Sequence, residues 1–93
     1  MIDIVLPSHI IQAPRPVTNQ MLLEKTGAVG ADDLELVQVG KKFLAYAISG
    51  FSRQKRVNST ATRILHTHYP QLKIRIFGNA VLFEEGDYDQ SST

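Results

Sequence analysis

Asp32-Asp33-Leu34-Glu35-Leu36-Val37-Gln38-Val39-Gly40-Lys41-Lys42-Phe43-Leu44-Ala45-Tyr46-Ala47-Ile48-Ser49-Gly50 is the stretch whose period decides the fold. Leu36, Val37, Gly40, Phe43, Leu44, Ala47, Ile48 and Phe51 recur at spacings of three and four, which makes one broad apolar helix face. Asp32 supplies an N-cap carboxylate and Glu35 follows three residues on, a capping box that sets acids at the positive end of a helix. Gly50 supplies the stop. The pattern predicts a helix over 33–50, with Lys41, Lys42, Ala45 and Ser49 facing outward. Gly40 and Ala47 lie two turns apart on the buried face and admit a close neighbour, which offsets the roughly 1 kcal/mol that Gly costs inside a helix.

Toward the N-terminus, Thr18 or Asn19 caps a short helix through Met21, Leu22 and Leu23, ended by Gly27 and Gly30. Residues 1–17 read as an extended arm: Ile2, Ile4 and Leu6 alternate as in a short strand, and Pro7, Pro14 and Pro16 keep the stretch out of helix. Toward the C-terminus, a helix starts at Asn58 or Ser59 and runs to Tyr69, where Pro70 ends it. Its narrow apolar stripe is Ala61, Ile64, Leu65 and His68, which leaves His66 solvated. Next comes a β-hairpin of 72–77 against 80–85 around Gly78-Asn79, since Gly at the first loop position suits a type II′ turn. That register sets Phe77 against Ala80, Ile76 against Val81, Ile74 against Phe83 and Lys73 against Glu84. Residues 18–87 form a single compact domain, and 88–93 a disordered tail.

The chain has 93 residues, 43% hydrophobic and 20% charged, which is enough for one packed core and excludes a second. Without cysteine, neither a disulfide framework nor a thiolate zinc site exists. The N-terminus lacks the basic start of a secretory signal, and no apolar run reaches the roughly 18 residues of a membrane span, so a cytoplasmic protein with no membrane association is expected. His66 and His68 point in different directions on a helix, so no metal site is expected. Gly27-Ala28-Val29-Gly30 is too short for a phosphate loop, and Asp32-Asp33 and Glu84-Glu85 serve as a cap and a strand end. Neither a cofactor nor a catalytic constellation emerges.

Charge is the informative feature. The net is only +1, yet no acid lies between positions 36 and 83, an interval that holds Lys41, Lys42, Arg53, Lys55, Arg56, Arg63, Lys73 and Arg75. Such segregation points to a surface for an anionic partner, unless folding returns the acidic ends over the basic middle.

Helices followed by a hairpin, with basic residues on the last helix and the hairpin, are similar to the winged-helix DNA-binding pattern in order of elements. The 33–50 helix is long for that pattern, and the connection over 51–58 exceeds its three or four residue turn. The expected fold is thus a small α+β domain with an N-terminal extended arm, two or three helices and a C-terminal hairpin. The expected function is nucleic-acid binding: Arg53, Lys55, Arg56 and Arg63 neutralise phosphate, with Arg63 placed to read a base. Lys73, Arg75 and Phe77 project from one outer strand face, usable as a wing or stacking platform. The alternative is an assembly subunit, a homo-oligomer or a protein partner's mate, pairing through strand edges and the arm.

Overall fold

The computed structural model describes residues 2–7, 10–13, 16–50, 52 and 54–88. Readings placed on Pro14, Phe51, Arg53 and residues 89–93 fall outside them. Strands β1 (Ile2–Val5), β2 (Ile10–Ala13), β3 (Leu34–Val39), β4 (Lys42–Ala47) and β5 (Ala80–Glu84) form one antiparallel sheet in the order β2-β1-β5-β4-β3. Helices α1 (Asn19–Thr26) and α2 (Ser59–His68) cover it. The result is a small α+β fold with more sheet than helix, not a winged helix.

The predicted 33–50 helix is a β-hairpin. A 3₁₀ turn at Ala31–Asp33 leads into β3, which pairs with β4 from Leu34↔Ala47 to Val39↔Lys42. Gly40 and Lys41 make a two-residue loop, with φ 70° on the glycine alone, as a type II′ turn asks of its first position. The error has a physical origin. Phe43 and Ala45 lie on the face covered by α1, Leu44 and Tyr46 on the face covered by α2, so β4 is apolar on both sides. A strand packed on both faces loses its alternation, and its continuous apolar run mimics a helix.

The two faces build two cores. Ile2, Ile4, Ala45, Val81 and Phe83 pack with Leu22 of α1; Val5, Leu44, Tyr46 and Ala80 pack with Ala61 and Leu65 of α2. What was expected to be an extended arm therefore supplies two strands, and β1 lies inside the sheet between β2 and β5. Both helices begin and end for legible reasons. The Thr18 hydroxyl accepts from Met21 N and Gly27 closes α1 in the left-handed conformation; Asn58 Oδ1 accepts from Ala61 N to open α2.

The second hairpin does not form. β5 has β1 on one side and β4 on the other, so no free edge remains for residues 72–77. Val81 stands between Ile4 and Ala45, Phe83 stands opposite Phe43, and Glu84 opposite Lys42 rather than Lys73. Residues 72–77 run outside the sheet, with one antiparallel bridge from Phe77 to Val57. Among the described residues no helix is long and apolar enough to cross a membrane.

Candidate nucleic-acid interface

The extended stretch around Ile76 finds its backbone partners on α2 and on the peptide before it. Ile76 N donates to Thr62 Oγ1 at 2.9 Å, Asn58 N donates to Ile76 O at 2.7 Å, and Gly78 N donates to Arg56 O at 2.8 Å. His66 Nε2 donates to Ile74 O at 2.8 Å, since a carbonyl can only accept. Asn58, fully buried, closes the corner: its Nδ2 donates to Val5 O at 2.6 Å and to Gly78 O at 2.8 Å.

This clamp decides where the cations go. Arg63 and Arg75 line one open groove with Val57, Ser59, Thr62 and His66, and among the described residues no carboxylate lines it. Both arginines are exposed, and neither guanidinium has a hydrogen-bond or ion-pair partner among the described residues. A second open groove holds Lys25, Lys55 and Arg56 beside Glu24, Gly78 and Asn79. The peptide from 54 to 59 joins the two. Of the acids that might have returned over this surface, Asp33 is turned inward, accepting from Ser49 N at 2.8 Å, Ser49 Oγ at 2.6 Å and Val29 N at 3.0 Å. Asp87 accepts from Glu84 N at the end of β5.

The expected site residues thus separate into groups. Arg63 and Arg75 come together; Lys55 and Arg56 line the neighbouring groove; Lys73 is exposed but lines neither; Arg53 lies outside the described residues. Two details depart from expectation. His66, expected to be solvated, and Thr62 one turn before it on α2 are spent on holding residues 74–76, so α2 does not present an unobstructed recognition face. The outer strand carrying Lys73, Arg75 and Phe77 is not a strand, and Phe77 is half-buried and does not line the groove of Arg63. His68 is exposed and His66 half-buried, the reverse of the order expected. Lys25 was not anticipated in the site, because nothing local links the last turn of α1 to residue 55.

Arg75 also borders a groove with Glu35, Tyr46, Ile48 and Ile74. Burial, and secondarily the Glu35 carboxylate opposite in the sheet, push the Tyr46 phenol above its ordinary value, so it stays neutral and holds its place in the core.

The chain matches no known family model, and comparison with curated proteins and with solved structures returns no significant match.

Proposed function

We propose that this protein binds nucleic acid by its phosphate backbone, along a surface running from Lys25, Lys55 and Arg56 to Arg63 and Arg75, with Lys73 as an outlying cation. The observation that carries the reading is the pair of guanidiniums, Arg63 and Arg75, that among the described residues have no partner and share a groove with no carboxylate. Cations without internal partners favour a polyanion, because phosphate contact releases condensed counterions. With Thr62 and His66 engaged internally, the reading is of backbone contact with little sequence preference, rather than a helix inserted in a major groove.

The test is a titration of labelled duplex DNA, single-stranded DNA and RNA at two salt concentrations. Arg63→Ala and Arg75→Ala each weaken binding across sequences and reduce the salt slope for duplex by roughly 0.9. Failure of the wild type to bind any of the three more tightly than about 10⁻⁴ M at low salt overturns the reading.

A second reading is supported by the outer strand β2, whose Ile10 and Ile11 are 50% and 46% exposed on an edge with no charged residue. Uncharged apolar edges are what natural sheets normally protect, so pairing with a second copy or another protein is the alternative. Sedimentation distinguishes it: self-association that survives high salt and is lost in Ile10→Lys supports edge pairing, and a monomer at high concentration rejects the homo-oligomer.

A further inference from the structure

His66 occupies an unusual position for a side chain that helps hold a loop. Its Nε2–H is committed to the Ile74 carbonyl, so in the neutral ring the lone pair sits on Nδ1, which has no partner among the described residues. The ring is half-buried in the same open groove as Arg63 and Arg75. It shares the groove with Ser59, Thr62 and Arg63 from its own helix, Val57 from the preceding peptide, and Arg75 from the extended segment whose Ile74 carbonyl it holds. Lys73 lies one residue beyond Ile74, and His68 is turned to the Ile64 carbonyl. Among the described residues no carboxylate lines the groove.

We infer that His66 is a proton-linked phosphate contact of this groove, taking up a proton at Nδ1 when nucleic acid binds. The inference rests on the nucleic-acid reading and adds a regulatory property to it. Protonation leaves the Nε2–H bond to Ile74 intact, so the clamp does not open. It adds an N–H donor and a third positive charge to the groove of the two arginines, and the negative charge of a phosphate filling that groove favours the imidazolium. Imidazole is the side chain whose charge ordinarily changes between pH 5 and 8. By linkage, a site that gains a proton on binding ligand binds that ligand more tightly as pH falls.

The experiment measures affinity for a labelled 20-base-pair duplex at pH 8.0 and 5.5, at matched ionic strength, for the wild type and for His66→Gln. Glutamine can still donate to the Ile74 carbonyl but cannot titrate. Expected for the wild type is binding roughly tenfold tighter at pH 5.5, with a salt slope steeper by roughly 0.9, and a nearly flat pH profile for His66→Gln. In parallel, the His66 ring resonances of the wild type are followed by NMR, and their titration midpoint moves to higher pH when duplex is added. Wild-type affinity that does not change with pH, or a pH profile that His66→Gln leaves intact, overturns the inference while the binding reading stands. An unmoved His66 midpoint in the presence of bound duplex also overturns it. Absence of binding at both pH values overturns the reading beneath it.

Discussion

Lys55 Nζ donates to the carbonyl of Thr26, the last residue of α1, at 3.0 Å, with the lysine stem passing between Gly27 and Gly78. The ammonium sits at the negative end of the helix dipole and satisfies one of the carbonyls that a helix terminus leaves unpaired. A basic residue expected to serve only phosphate therefore also ties the 54–58 peptide to α1. Lys55 nonetheless lines the groove that also holds Lys25 and Arg56.

Gly27 shows how tight that tie is. It adopts φ 77°, and a Cβ there would fall 2.0 Å from Lys55 Nζ. Gly27→Ala is expected to lower stability by about 2 kcal/mol or more, combining the left-handed penalty with displacement of the lysine. Lys55→Met, which keeps the stem but not the charge, is expected to cost about 1 kcal/mol. Arg56→Ala is expected to stay within about 0.5 kcal/mol of the wild type, as at an ordinary surface position. Urea unfolding of the three variants checks the order, and Lys55→Met as stable as Arg56→Ala would remove the structural role given to Lys55.

Asn58 is expected to be the most sensitive polar position. Truncation to Ala leaves the Val5 and Gly78 carbonyls without their buried donor and strips the cap from Ala61 N, a loss of roughly 3–5 kcal/mol. Asn58→Asp sharpens the test, because aspartate is as good an N-cap as asparagine yet presents an oxygen where two carbonyls need a donor. Denaturant midpoints should show the aspartate variant destabilised as severely as the alanine. An aspartate variant near wild-type stability would mean that capping alone explains the residue.

The legible parts of this molecule were those written locally. Thr18 and Gly27 bound α1, and Asn58 and Pro70 bound α2, because a cap acts through neighbours three or four residues away. Gly40 and Gly78 illustrate the limit. Each has positive φ and each is followed by a residue suited to a short loop, but only Gly40 joins two paired strands. The difference lies in β1: by taking one side of β5 it leaves residues 72–77 without an edge, and nothing near position 78 announces that. The same holds for the site. Clustered cations at 53–56 and 63 are visible in the sequence, whereas the meeting of Arg63 with Arg75 depends on the Thr62 and His66 clamp, which forms only once that hairpin is excluded.

Tyr46 gives the fold a definite alkaline limit. Burial, reinforced by Glu35 across the β3–β4 pair, raises its pKa above the ordinary 10.0. Below pH 10 the phenol is neutral in both folded and unfolded chains, so its contribution to stability is fully present. As pH rises past 10 the unfolded chain loses the phenolic proton first, and ionisation draws the equilibrium toward unfolding until the folded phenol titrates as well. Stability measured by urea unfolding should therefore decline from pH 9.5 to 11, and Tyr46→Phe, which cannot ionise, should decline less. Glu35→Gln should also soften the decline, but by less than Tyr46→Phe, because burial is the larger cause. Tyr46→Phe differs from the wild type by one hydroxyl, so the difference between those two curves isolates the Tyr46 phenol. Parallel curves for the wild type and Tyr46→Phe would show that the phenol ionises as easily in the fold as out of it, contradicting its burial between β4 and α2.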